Sequence, residues 1–393
     1  HLFGVLESGI QAGFFAAGTK VLGGLLPKPS AFVQGMKPVT CNDGTTRLWN
    51  PDISAYHHDL ALPEHLASDE LGLQYHQDKT LLTLSSGQQA RHTLVLDKTE
   101  SAGPYTLRHP TRPHAYGPRM QHNDEGAWLM EGERPQTWQG SILMRRLGPV
   151  AEGFSDAELE KLRIISGTDE GVLRRVHLHN EPTPPLLKDC MARLRIQKQN
   201  IEDITRIRQG RALSTKGNWL ESLPTELPGW PPDKALNVFV DETLSGMAHV
   251  YGAPEALPED SLRISQQDIK NGKLWPLIVD NFNTPQLDAL LGPRATKTEA
   301  VNTLQAKVSD YARQRREDIF DHQYARERQT KNPAARLIES TFAHLPTPVT
   351  QALLETTSTL EKTTLLENGR IPLRVKNLAT ELEHQTRIAH AQE

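Results

Sequence analysis

The stretch LRRVHLHNEPTPPLLKDCMARLRI (residues 173–196) contains two histidines, a cysteine, an aspartate and several arginines. Histidines two residues apart point the same way only on a strand, whereas the pattern around His177 and His179 indicates a helix end followed by a loop. Thr183 followed by Pro184 is typical of an N-cap with proline at the first helical position. The stretch therefore predicts a helix, a proline turn and a second helix. The apolar stripe of that second helix comprises Leu187, Met191, Leu194, Ile201 and Ile204.

This helical interpretation argues against a metal site in the same stretch. Zinc bound by His177, His179 and Cys190 would lack a fourth ligand at any familiar spacing. Cys190 lies one residue before the stripe position Met191, beside the core face of its helix. We therefore expect Cys190 to be a buried structural cysteine.

Two other polar clusters are interpreted in the same way. His57, His58 and Asp59 are adjacent, so their side chains should diverge in a solvated turn. Cys41 and Asp43 have the spacing of a transthiolating ligase, in which a thiolate attacks and a carboxylate assists as base. The glycine that follows them favours an exposed turn instead. The sequence thus predicts no catalytic residue, no cofactor-binding residue, no metal ligand and no cofactor.

Composition limits the class of protein. Hydrophobic residues make up 37% of the 393 residues and charged residues 23%, which is typical of a chain that buries cores. The net charge of -4 offers no basic excess for a phosphate backbone, so we expect no nucleic-acid partner. Two cysteines cannot form a disulfide framework or a four-cysteine zinc site. Signatures of nucleotide-binding loops, zinc proteases and nucleophile elbows are absent from the sequence.

The chain is too long for one ordinary core. The pattern predicts an α+β fold in which small antiparallel β-modules alternate with helical bundles. Trp49, Trp128 and Trp138 should be buried or half-buried in the first β-module, which has an aromatic-rich core. The predicted segments are a helical tail of an upstream domain (1–29), a β-rich module (30–150), a helical segment (151–212), a small α+β module (213–292) and a helical region (293–393).

Residues 5–26 are the most apolar part of the chain, and they include Glu7, Gln11 and Lys20. Such polar residues make a poor transmembrane span, so we expect a helix that packs on its neighbours. A membrane-inserting hairpin is the less favoured alternative. We also expect both ends of the sequence to continue in a longer polypeptide.

Four parts of the sequence, residues 44–63 with 108–140, 166–196, 223–232 and 368–393, form long patterned stretches in a fixed order. They resemble very large bacterial secreted toxins and effectors that carry a dermonecrotic toxin N-terminal domain. Some members of that family also have leucine-rich repeats and a C-terminal novel E3 ligase domain. The resemblance implies a position between the upstream toxin-type domain and any downstream repeats or ligase. The ligases use a Cys-x-Asp motif on a helical domain, but Cys41-Asn42-Asp43 lies in a predicted β-turn, so that role is not transferred.

The resemblance implies a non-catalytic central region that links, scaffolds or helps to deliver the active parts of a secreted bacterial virulence protein. Its parent would be an E3 ubiquitin ligase if it is one of the members that carry the ligase domain. Its partners would be an unidentified host protein and other domains of the same polypeptide. The resemblance also implies that the parent protein is secreted by a bacterium and delivered into a host cell. The alternatives are a hydrolase-like toxin module with dispersed catalytic residues and a membrane-translocation segment at residues 5–26.

Overall fold

The computed structural model describes residues 34–86, 90–99, 105–293 and 296–393. Helix makes up 49% and strand 15%, and antiparallel sheets lie alongside the helices, so the predicted α+β class is confirmed. The chain forms two compact units, and the division into five segments stays a prediction. The helix or membrane hairpin expected at residues 5–26 falls outside the described residues. Within the described ranges, no helix has both the length and the apolar character needed to cross a lipid bilayer.

The first unit comprises the described residues up to Met191 together with Gln385–Glu393. Its main sheet is a six-stranded antiparallel meander in chain order. Its strands are β3 (Leu73–His76), β4 (Lys79–Ser85), β5 (Arg91–Lys98), β6 (Tyr105–Leu107), β7 (Arg119–His122) and β8 (Trp128–Met130). A separate hairpin pairs β1 (Lys37–Thr40) with β2 (Thr46–Trp49).

Alternating residues of two central strands build the core of this sheet. Successive side chains of a strand point to opposite faces, so one face of β4 and β5 enters a single buried cluster. Trp49 and Trp128 belong to that cluster, and Trp138 is half-buried in the loop after β8. The predicted burial of the three tryptophans is therefore confirmed. The strand residues in the cluster are Leu82, Leu84, Leu94 and Leu96.

Four helices follow the sheet: α1 (Gly140–Arg145), α2 (Asp156–Ile165), α3 (Glu170–His179) and α4 (Pro185–Arg208). Ser155 and Glu158 form a capping box at the start of α2, at the spacing seen in the sequence. The predicted helix, turn and helix over residues 173–196 are confirmed.

The predicted N-cap of α4 is wrong. The helix begins at Pro185, one residue later than expected, and Thr183 Oγ1 is buried without a hydrogen-bond partner. The Thr183 N–H donates instead to Glu125 Oε2 at 2.8 Å. With Thr183 as the cap, the second helical position would be Pro185, which lacks an N–H, so one of the two usual donors to a cap hydroxyl is missing.

The second unit, Ala192–His384, contains a three-stranded sheet in the order β10-β9-β11. β9 (Ala235–Phe239) pairs antiparallel with β10 (Ala248–Gly252) and parallel with β11 (Ser261–Ser265). Antiparallel pairing was predicted for this module, and the parallel pair of β9 and β11 was not. Short apolar strands carry no sequence mark of the direction of their partner, so pairing direction is set by the tertiary fold.

Helices cover this smaller sheet and continue to the end of the chain. The core joins Leu236 and Ile264 of the sheet to Trp275, Leu304 and Val308 of the helices. The helices are α5 (Leu223–Glu226), α6 (Gln266–Lys270), α7 (Leu274–Asn281), α8 (Thr284–Leu291), α9 (Lys297–Gln314), α10 (Arg316–Glu327), α11 (Pro333–Thr341), α12 (Thr347–Glu355), α13 (Thr359–Asn368) and α14 (Leu373–Gln392).

The last residues of the chain belong to the first unit. His390 Nε2, near the end of α14, lies 2.7 Å from Oδ2 of the buried Asp189 in α4. Lys161 Nζ donates to the backbone carbonyl of Glu393 at 2.8 Å. Residues 385–393 are therefore fastened to the first unit by specific polar contacts.

Candidate functional site

The structure places the histidines and the cysteine of residues 173–196 in different surroundings. His177 is buried, and one of its ring nitrogens, Nε2, lies 2.9 Å from the Leu143 carbonyl, while His179 is exposed at the end of α3. Cys190 is fully buried, as predicted. Burial lowers the pKa of His177 to about 4, so its ring is neutral near pH 7. Among the described residues, no group of three or more His, Cys, Asp and Glu side chains could hold a metal ion.

Cys41 lies in the predicted turn, but the expectation that it is exposed is wrong. The Gly44 N–H donates to the Cys41 carbonyl within the β1–β2 hairpin, and the Cys41 side chain is buried. Asp43 accepts hydrogen bonds from the backbone and the hydroxyl of Thr45, and these bonds lower its pKa. Asp43 therefore caps the turn, and its carboxylate is committed to Thr45.

The adjacent histidines His57 and His58 diverge, as predicted, but both are anchored. His57 Nδ1 accepts a hydrogen bond from the Thr93 N–H of β5, and His58 Nε2 lies 2.9 Å from the Arg108 carbonyl. Asp59 is exposed. The two histidines fasten their segment to the sheet and do not form a ligand set.

The first unit contains an open polar cleft of about 720 Å³. The residues after β2 form one wall, and the loop after β8 forms another. Gly132 has a φ of +89°, and a Cβ at this position would lie 2.6 Å from Cβ of Pro51. Glycine is therefore required where the two walls meet. The lining residues are Gln34, Gly35, Asn50, Pro51, Asp52, Ile53, Gly132, Glu133, Arg134 and Trp138.

A buried ion pair supports this cleft. The Arg146 side chain is 1% exposed and that of Glu133 is 10% exposed. Two parallel hydrogen bonds of 2.8 and 2.6 Å join them, and Arg146 Nη2 also donates to the Trp128 carbonyl at 3.0 Å. Paired, charge-assisted bonds of this kind fix both position and orientation. The pair therefore ties α1 to the end of β8 and to the cleft loop.

The Trp138 ring is held between charged and neutral neighbours. The Arg146 guanidinium carbon lies 4.5 Å from its ring centroid, and the His177 ring meets it edge-on at 5.2 Å. A guanidinium over an indole face is favourable, and more so when it is desolvated. Trp138 thus has little freedom to move, although part of it remains accessible in the cleft wall.

A serine–histidine pair lies at the turn between β4 and β5. Ser86 Oγ lies 2.7 Å from His92 Nε2, and the His92 ring centroid lies 5.8 Å from that of His57. Burial, followed by the neighbouring His57, lowers the pKa of His92, so its imidazole is neutral near pH 7. The carboxylate of Asp52 opposes this shift. A hydroxyl next to a neutral imidazole is the arrangement used for nucleophilic attack.

A second polar cluster lies in the second unit around Glu221, which is buried. Its carboxylate accepts from the Tyr251 hydroxyl at 2.7 Å and from Gln266 Nε2 at 2.8 Å, and it lies 3.2 Å from His249 Nδ1. Burial and the bond to Glu221 raise the pKa of Tyr251. The carboxylate links β10 to the start of α6, and three polar partners offset its loss of solvation.

The cleft, the serine–histidine pair and the Glu221 cluster were not predicted from the sequence. Two β-rich runs flank SSGQQA (85–90), which indicates a hairpin. Antiparallel pairing of these runs could have placed Ser86 opposite Ala90 and on the same face as His92. The cleft joins residues 50–53 to residues 132–138, and no local spacing connects these segments. Glu221 likewise meets partners that are distant along the chain.

By its fold the chain is an α+β protein of two compact units, and the first of these carries an open polar cleft. Comparisons with family models, with curated proteins and with solved structures each find no match to this chain.

Proposed function

We propose that this chain is a non-catalytic scaffolding region of a large secreted bacterial protein. The bacterial and secreted setting rests on the resemblance of the four stretches given above. The observation that carries the scaffolding role is the Glu133–Arg146 ion pair, because the two buried charged groups beside the cleft bind each other and the Trp128 carbonyl. His177 and Glu221 are committed to internal contacts in the same way. Its partners would be other domains of the same polypeptide and an unidentified host protein.

The same proposal holds that ubiquitin ligase activity would belong to another part of the parent protein. Transthiolation needs an accessible thiolate. The two cysteines of the sequence, Cys41 and Cys190, are both buried. Neither thiol is therefore placed to receive ubiquitin from a conjugating enzyme.

We expect this chain to form no thioester with ubiquitin. The assay incubates the chain with activating enzyme, a panel of conjugating enzymes and ubiquitin, and analyses the products on a non-reducing gel. A ligase of known activity in the same mixture is the positive control. A reducible adduct that Cys41→Ala abolishes and Cys190→Ala leaves intact would contradict the proposal and assign the ligase chemistry to the β1–β2 turn.

A hydrolase-like module is the second candidate, and the Ser86–His92 pair favours it. In such a reaction Ser86 Oγ would attack an ester carbonyl while His92 Nε2 takes its proton. The protonated imidazole would return that proton to the departing alcohol, and water would then release the acid and restore the serine. The scaffolding role explains the same contact between Ser86 and His92 as a structural hydrogen bond between the adjoining ends of β4 and β5.

A fluorophosphonate probe separates the two candidates, because it labels only serines whose nucleophilicity is raised. The scaffolding role predicts no labelling above that of the Ser86→Ala variant. Ser54→Ala is the matched control, since Ser54 is an exposed serine of the same unit that bonds to Asp52. Stoichiometric labelling lost in Ser86→Ala and in His92→Gln, but kept in Ser54→Ala, would favour the hydrolase.

A further inference from the structure

The cleft is open and polar, and its volume is that of a small-molecule site. Its volume of about 720 Å³ falls inside the roughly 300–1,000 Å³ range of ligand pockets. Ligand pockets combine an apolar or aromatic wall with a few fixed polar groups. Here Trp138 and Pro51 supply the first, and Asn50, Asp52 and Arg134 supply the second.

The charges of the lining point to a neutral ligand. Arg146 neutralises Glu133 through two hydrogen bonds. The remaining charges in the lining are one carboxylate, Asp52, and one guanidinium, Arg134. A site for phosphate or another strong anion would need an excess of positive charge, and a site for a cation would need the opposite. This cleft has neither.

The polar groups are varied and lie at the rim. Asp52 accepts hydrogen bonds, Arg134 donates them, and the amide of Asn50 does both. Asp52 and Arg134 are exposed, while Trp138 is half-buried and fixed by Arg146 and His177. A ligand that suits this set needs donors and acceptors along one edge and an apolar face for the indole. A sugar ring has hydroxyl groups that donate and accept, and a C–H face that packs on an aromatic ring.

We infer that the cleft lined by Asn50, Asp52, Arg134 and Trp138 binds a neutral oligosaccharide. The inference goes beyond the scaffolding role, because it gives the first unit a ligand of its own. Arg146 covers one face of the Trp138 ring, so the part of the ring that remains accessible in the cleft wall provides the apolar surface. The three polar side chains provide the hydrogen bonds. The buried ion pair beneath the loop keeps the site in shape before the ligand arrives, which lowers the entropic cost of binding.

Isothermal titration calorimetry with cellotetraose, maltotetraose and chitotetraose tests this inference on the whole chain. We expect saturable binding of at least one of the three. Asp52→Asn and Arg134→Ala should each weaken that binding about tenfold, as expected for the loss of a hydrogen bond to a charged group. Asparagine keeps the N-cap that Asp52 provides for residues 53–56, so the fold is retained.

Arg119→Ala is the matched control, because Arg119 is an exposed arginine of the same unit that does not line the cleft. It should bind the sugar as the unchanged chain does. Circular dichroism of each variant verifies that the fold is intact. The inference is overturned if none of the three oligosaccharides binds, or if Asp52→Asn and Arg134→Ala bind as tightly as Arg119→Ala. Tighter binding of inorganic phosphate than of any of the sugars would also overturn it.

Discussion

Replacement of Glu133 by alanine is expected to lower the unfolding free energy of the first unit by about 3–5 kcal/mol. The substitution leaves the Arg146 guanidinium buried without its carboxylate partner. The backbone N–H of Met130 also donates to Glu133 Oε2 at 2.8 Å, so the end of β8 loses a partner as well. Chemical denaturation followed by near-UV circular dichroism measures the change.

Two controls separate the buried charge from other effects. Glu152→Ala removes an ion pair with Arg91 in which both side chains are 59% exposed, and it should cost less than about 1 kcal/mol. In the double variant Glu133→Gln with Arg146→Met, both charges are gone, so much of the lost stability should return. A loss below about 1 kcal/mol for Glu133→Ala would show that solvent reaches Arg146, contrary to its burial.

The Trp128→Ala substitution is expected to cost about 3–5 kcal/mol of unfolding free energy, the range found for large aromatic residues in cores. Trp128 is fully buried, and its indole N–H donates to the Leu71 carbonyl at 2.8 Å. Its ring contacts those of Tyr105 and His122, with centroids 5.4 and 4.4 Å away. The variant therefore loses packing and removes the indole donor from the part-buried Leu71 carbonyl.

The same denaturation experiment measures this loss. Tyr75→Ala serves as a control, since Tyr75 is 60% exposed in the same sheet, and substitutions of this kind usually stay within about 0.5 kcal/mol. Trp128→Phe should fall between the two, because it keeps most of the packing but loses the indole hydrogen bond. A cost below about 1 kcal/mol for Trp128→Ala would instead indicate a surface position.

Local signals predicted much of the secondary structure. The capping boxes at Ser155 and Thr296 form as their spacing indicates, because each is complete within four residues. The break between α9 and α10 at Arg315 has no such signal, since neither proline nor glycine is present there. Arg315 forms ion pairs with Glu226 and Asp318, so a tertiary contact accompanies the break.

The candidate site could not be predicted for a different physical reason. Asp52 follows the β1–β2 hairpin and Arg134 follows the last strand of the six-stranded sheet, so the tertiary fold brings them to the same cleft. A shift of one residue in any strand would turn its side chains to the other face. The sequence marks Trp138 as a core candidate, but its contact with Arg146 depends on where α1 packs. Side chains that reach a site only through strand register and helix packing produce no local sequence pattern from which the site could be predicted.

The return of residues 385–393 to the first unit has a consequence for synthesis on the ribosome. Asp189 and its partner His390 are 201 residues apart, and the whole second unit is translated between them. At about 5–20 residues per second, that interval lasts roughly 10–40 s. During this interval Asp189 lacks its partner His390, because that residue has not yet been synthesised. The second unit can form its own internal contacts before His390 is added. The first unit to emerge is therefore the last to be completed.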